Sequence, residues 1–91
     1  MAHLIAHKAA LQTRVRKIQG QAGALDKLLE QNTDCLKVLQ QVAAIKGAVN
    51  GLMKQVLEDH IREHIGSRTL THEERDTEVD ALITILNSYL K

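Results

Sequence analysis

Residues 33–65 read TDCLKVLQQVAAIKGAVNGLMKQVLEDHIREHI, thirty-three positions without a proline and without the alternation of a strand. Val38, Val42, Ile45, Val49, Leu52 and Val56 step by four and three, the spacing of a helix with one apolar seam. A second row, Met53, Leu57, Ile61 and Ile65, widens the apolar face, so this helix has to be covered on two sides. At 1.5 Å per residue it runs roughly 50 Å. A compact chain of this size has a radius of gyration of only about 12–13 Å. Its own chain cannot wrap so long a rod. An antiparallel hairpin with the preceding helix, paired with a second copy into a four-helix bundle, resolves the conflict.

Working outward, Leu11, Val15, Ile18, Ala22, Leu25 and Leu29 form a similar seam on a first helix. Gln31-Asn32-Thr33-Asp34 reads as a short turn that supplies the N-cap of the second. Gly66-Ser67 ends that helix. Thr71 and Glu74 have capping-box spacing, and Val79, Leu82, Ile83, Leu86 and Leu90 mark a third. The expected fold is all-α: a three-helix protomer forming a single domain over residues 1–91, with no internal repeat. Hydrophobic residues make up 44% of the chain, which excludes intrinsic disorder, but Tyr89 is the sole aromatic. A core of Leu, Ile, Val and Ala alone is light for a small domain, and oligomerisation is the usual remedy. One cysteine excludes an internal disulfide framework. No apolar run reaches the roughly 18 residues of a membrane span, and no signal-peptide pattern opens the chain. The chain reads as cytoplasmic.

A net charge of +1 hides a division. Residues 1–25 hold four bases (Lys8, Arg14, Arg16, Lys17) and no acid, whereas residues 58–80 hold eight acids and three bases. Such a basic run is either a solvated helix face or a phosphate-binding surface. Potential metal donors fall at telling positions. Cys35 and His60 are 25 residues apart on one helix, roughly 37 Å, and cannot share an ion within one chain. If two copies of the helix pack antiparallel, Cys35 of one protomer meets His60 and His64 of the partner subunit. The midpoint of that pairing is near residue 48, in the small-residue run GAVNG at 47–51. His60 and His64, at i and i+4, share a face. The hairpin returns His3 beside residue 61 or so. His3, Cys35, His60 and His64 therefore converge at each end of a symmetric dimer. His7, one turn from His3, could assist as a ligand but reads rather as a surface histidine, and His72 reads as part of the capping turn. His60-Ile61-Arg62-Glu63-His64 also fits the H-x-x-E-H pattern of inverted zinc peptidases. A peptidase needs a third ligand and a substrate cleft, and one helical hairpin offers neither. Glu63 reads instead as the solvent side of an amphipathic helix.

RVRKIQGQ at 14–21, Cys35, LQQVAAIKGAVNGLM at 39–53, HIREH at 60–64 and SYLK at 88–91 together resemble the CsoR/RcnR family of bacterial metal- or formaldehyde-responsive transcriptional repressors. The resemblance covers essentially the whole chain and is nearest to the nickel/cobalt-sensing branch. It implies a non-enzymatic, all-α dimer of dimers that binds double-stranded operator DNA without a helix-turn-helix. Inducer binding then releases the DNA and permits transcription of efflux genes. Copper sensors of the family resemble a Cys-His-Cys pattern, which His64 does not fit. The nickel/cobalt pattern, His-Cys-His-His, is matched by His3, Cys35, His60 and His64. Formaldehyde sensors resemble a proline at position two, where this chain has Ala2, although Cys35 and a freed amine remain chemically competent.

Coordination chemistry points the same way. One thiolate with several imidazoles suits Co(II), Ni(II) or Zn(II), and Cu(I) prefers more sulfur. An N-terminal amine, exposed after loss of Met1, would add a fifth ligand and favour Ni(II) or Co(II) over tetrahedral Zn(II). Arg14 and Lys17 lie three apart, Arg16 flanks them and Lys8 comes earlier on the same helix, all as phosphate contacts with steep salt dependence. The resemblance implies that Arg14 and Lys17 matter most. In the expected switch, metal pins the N-terminal segment through His3 onto the second helix and reorients the first. A metal-storage or delivery protein with an incidental basic patch is the alternative of another class.

Overall fold

The computed structural model describes residues 7–91. Three helices follow in order: α1 (Lys8–Glu30), α2 (Cys35–His60) and α3 (His72–Tyr89). A five-residue π-helical turn, Ile61–Ile65, continues α2. The described residues contain no strand. No helix among them is long and apolar enough to cross a membrane.

The α1–α2 turn is built from local chemistry. Asn32 takes the left-handed conformation, φ 53°, which asparagine tolerates better than most residues. The Thr33 amide donates to the Leu28 carbonyl and the Asn32 amide to the Leu29 carbonyl, both at 3.4 Å. This is a Schellman closure of α1. Asp34 then caps α2, its Oδ1 accepting from the Lys37 amide at 2.9 Å. At the far end, Gly66 closes the π turn by donating its amide to the Ile61 carbonyl at 2.8 Å. A Cβ on Gly66 would lie 3.0 Å from the Arg62 carbonyl oxygen. Arg75, from α3, donates to the Ile65 carbonyl at 3.1 Å and to that of Ser67. It so satisfies carbonyls that the end of a helix leaves unpaired. The expected capping box is present: Glu74 N donates to Thr71 Oγ1 at 3.1 Å and Thr71 N to Glu74 Oε1 at 2.9 Å.

α1 and α2 pack antiparallel along half of each expected seam, Leu11, Ile18 and Leu25 with Val38, Ile45 and Leu52, while the other half is left exposed or shifts by one position. Val15 and Leu29 on α1, and Val42 and Val49 on α2, are exposed, as is Ala22. The shielded positions are Leu11, Ile18, Gln21, Leu25 and Leu28 against Val38, Gln41, Ile45, Ala48, Leu52, Gln55 and Asp59. Those on α2 step by three and four without a break. Two of the polar side chains in this seam donate there: Gln41 Nε2 to the Gln21 carbonyl at 3.0 Å, and Gln55 Nε2 to Asp59 Oδ1 at 3.1 Å. The stronger apolar rows lie one strip over and serve another surface.

α3 folds back along α2, with the Tyr89 hydroxyl donating to Asn50 Oδ1. Met53, Val56, Leu57 and His60 of α2 and Leu82 and Ile85 of α3 line an open apolar groove. The whole measures 56 × 29 × 13 Å with a radius of gyration of 17.3 Å. Thirteen ångströms is about the diameter of one helix with its side chains. The protomer is therefore a single layer. Among the described residues Leu11 is the one buried hydrophobic side chain, while Leu36, Leu39, Val42 and Val49 stand exposed along α2.

Replacing Asp34 by Ala is expected to cost about 1 kcal/mol, read as a lower denaturant midpoint in urea melts. Glu74 is held below the usual carboxylate range, first by the Thr71 backbone amide and then by the Thr71 side chain, against a small opposing effect of burial. The cap it completes is thus present above the ordinary carboxylate pKa and lost as pH falls through its lowered value. Amide exchange, corrected for intrinsic rates, should show the first turn of α3 losing protection in wild type as pH falls from about 5 into strong acid, with no such step in Glu74→Gln.

Candidate metal centre and nucleic-acid face

At about 100° per residue, Cys35, Val42, Val49, Met53, Val56, His60 and His64 occupy one strip of α2 beside the α1 seam. The potential ligands share the strip of the exposed valines. Cys35, in the first turn, is exposed. His60 and His64 stack at the other end, ring centroids 5.1 Å apart and planes inclined by 27°. His64 Nε2 lies 3.0 Å from Glu78 Oε1 of α3, a carboxylate placed to hold the orientation of that imidazole. Twenty-five residues of helix separate Cys35 from His60, about 37 Å. Within the single chain, no three His, Cys, Asp or Glu side chains among the described residues come together around a common point. His3 and the N-terminal amine lie outside the described residues. A thiol and two imidazoles on an accessible strip fit a borderline divalent ion. The strip does not complete a site without a second copy.

His7 differs from the sequence reading. Its Nδ1 is 2.9 Å from Oδ1 of the buried Asp59, so it bridges α1 to α2 and is no idle surface residue. Asp59 too escaped notice, because an acid inside a helical run reads as solvated. The antiparallel register is the signal that finds the pair: it brings His7 to Asp59 as it brings Arg14 to Gly51 and Gln41 to Gln21. His72 opens α3 directly after the Thr71 cap, as expected.

The basic residues do not form one flat face. Arg14 and Lys17 are about 60° apart around α1, whereas Arg16 and Lys8 lie about 160° and 120° from Arg14. Arg14 reaches across the hairpin, its Nη1 2.9 Å from the point a Cβ on Gly51 would occupy. Gly51 seats the guanidinium. Lys17 stands exposed beside it.

A helical layer with a basic first helix and thiol and imidazole donors along an open strip defines a class: a small all-α nucleic-acid binder equipped to take up a ligand. Residues 7–88 match the family described as metal-sensitive transcriptional repressors. An uncharacterized protein in the bioA 5′ region of Serratia marcescens is 48% identical over the full length of both chains. The transcriptional repressor RcnR of Salmonella paratyphi B is 45% identical, again over both full lengths. A solved structure of a variant of the formaldehyde-responsive regulator FrmR, from Salmonella enterica serovar Typhimurium, superposes with a TM-score of 0.86 at 39% identity. It matches 93% of this chain and 96% of that one. The chain belongs to the CsoR/RcnR family of metal-sensitive transcriptional repressors. These are DNA-binding regulators and not enzymes, so the H-x-x-E-H spacing at 60–64 has no peptidase role.

Gly51→Ala is expected to raise helix stability by about 1 kcal/mol while weakening DNA binding, because Arg14 loses its seat. Thermal melts and fluorescence anisotropy on the same preparation check both directions.

Proposed function

We propose that this chain is a cytoplasmic Ni(II)- or Co(II)-responsive repressor that holds double-stranded operator DNA in the apo form and releases it on metal binding, derepressing efflux genes. The observation that carries the reading is the division of the donors: Cys35 at one end of α2, His60 and His64 at the other, all on the strip left uncovered by α1. Antiparallel pairing of two copies along that strip buries the exposed valines and completes two equivalent sites at once. Residues 1–91 then act as a single DNA-binding and sensing domain, in a homodimer that assembles to a homotetramer. His3 would complete the set with Cys35, His60 and His64, and Zn(II) is the competing ion. The metal would supply a cross-link between His3, Cys35, His60 and His64. Arg14 and Lys17 supply the principal phosphate contacts, with Arg16 and Lys8 contributing from the sides of α1.

The name of the FrmR structure and the exposure of Cys35 favour one further reading, a formaldehyde response through the Cys35 thiol and the N-terminal amine. Anisotropy of labelled operator DNA, titrated separately with Ni(II), Co(II), Zn(II), Cu(I) and formaldehyde, distinguishes the two. Release by nickel or cobalt is the expected result; release by formaldehyde alone would transfer the role to Cys35 chemistry. A double variant, Arg14→Ala with Lys17→Ala, should lose DNA binding and flatten its salt dependence while keeping metal affinity. A storage protein would show no operator binding to lose. His3→Ala should still bind DNA but respond poorly to metal, with coupling reduced from the typical range of roughly 1–3 kcal/mol.

A further inference from the structure

Gly66 marks the point where the winding of α2 has changed. Its amide donates to the Ile61 carbonyl, five residues back, at 2.8 Å, so Ile61–Ile65 closes as a single π turn. Such turns are rare, and they occur frequently at functional sites. This one follows directly on His60 and contains His64. In an α-helix, residues four apart differ by about 40° around the axis. A π turn takes more residues to close, so it brings the later side chain back around the axis toward the earlier. His64 accordingly stacks on His60, with ring centroids 5.1 Å apart.

Two residues hold the turn in this form. A Cβ at position 66 would come within 3.0 Å of the Arg62 carbonyl oxygen and 3.1 Å of that of Ile61. Any side chain there has to displace the carbonyls that close the turn. From α3, Arg75 donates through Nε to the Ile65 carbonyl at 3.1 Å and through Nη2 to that of Ser67, so its rigid fork spans the exit of the turn. Three residues on, Glu78 lies 3.0 Å from His64 Nε2. α3 thus grips the backbone of the turn with one side chain and its imidazole with the next. We infer that Gly66 and Arg75 are positioning residues of the sensing site, holding the π turn that sets the spacing and angle of His60 and His64; the inference rests on the metal-sensing reading above. Neither offers a donor atom to the ion, since glycine has no side chain and a guanidinium stays protonated. A return to α-helical winding rotates His64 by on the order of tens of degrees, more than the roughly 10–20° within which a ligand set has to be held.

The test is a Co(II) titration of the full chain as wild type, Arg75→Ala, Arg75→Lys and Gly66→Ala, with circular dichroism and a thermal melt of each apo protein. Arg75→Ala and Gly66→Ala are expected to bind Co(II) about 10-fold more weakly and to show altered intensity of the visible ligand-field bands. The thiolate charge-transfer band should persist in both, because Cys35 stands at the opposite end of α2. Arg75→Lys, which keeps a cationic donor but not the fork, should fall between Arg75→Ala and wild type. A purely structural role would lower the melting temperature and leave the affinity and spectrum of the folded protein unchanged. That result in both Arg75→Ala and Gly66→Ala, beside a wild type that binds Co(II) with a thiolate charge-transfer band, would overturn this inference and leave the metal-sensing reading intact. If Arg75→Ala does not fold, Gly66→Ala and Arg75→Lys decide by the same criterion. A wild type that binds neither Co(II) nor Ni(II) overturns both together, and the missing charge-transfer band identifies that outcome.

Discussion

α2 has two strips that need covering, and α1 shields one of them, in part. Everything else in the molecule answers to that constraint. A layer 13 Å thick has no interior; in the proposed assembly the free energy that an ordinary domain gains from a core would come from a second copy, and stability would become inseparable from protein concentration. The same constraint bears on where chemistry can occur. In that assembly, donors placed along the uncovered strip would be brought together by the contact that stabilises the fold, so a competent sensing site and a folded assembly would arise in one step.

Two contacts between α1 and α2 share a single seam. His7 against Asp59 lies at one end of α1, and Arg14 over Gly51 two turns along. A ligand that engages the start of α1 acts on the same rigid helix that presents Arg14 and Lys17. No separate relay is needed between them. The polar character of the seam matters here, because Gln41, bonded to the Gln21 carbonyl, and His7, against Asp59, hold register through directional contacts where a purely aliphatic seam would tolerate sliding.

Local chemistry was fully legible in the sequence. Asn32, Asp34, Thr71 and Glu74 act within a few residues of themselves, and their roles follow from side-chain type and spacing. The helix count and the antiparallel hairpin followed as well. The packing face followed only in part: Leu11, Ile18, Leu25, Val38, Ile45 and Leu52 are shielded as expected, but Val15, Leu29, Val42 and Val49 outrank Gln21, Gln41 and Asp59 on any hydrophobic count, yet the latter face the neighbouring helix. In a chain that assembles, the most apolar strip is reserved for the partner, and ranking by hydrophobicity finds the intermolecular face first. His7 was misread for a related reason: its partner lies 52 residues away, and only the register connects them. The candidate ligands on α2 were legible because helical periodicity alone places Cys35, His60 and His64 on one strip.

The turn at residues 31–34 has a kinetic consequence. Because Asn32 and Asp34 close it within four residues, α1 and α2 meet at little loop-closure cost, and the contacts that define the hairpin are local in sequence. Proteins of low contact order fold quickly. The hairpin should therefore form in an early, concentration-independent phase, and the slow step becomes the bimolecular encounter of two preformed hairpins.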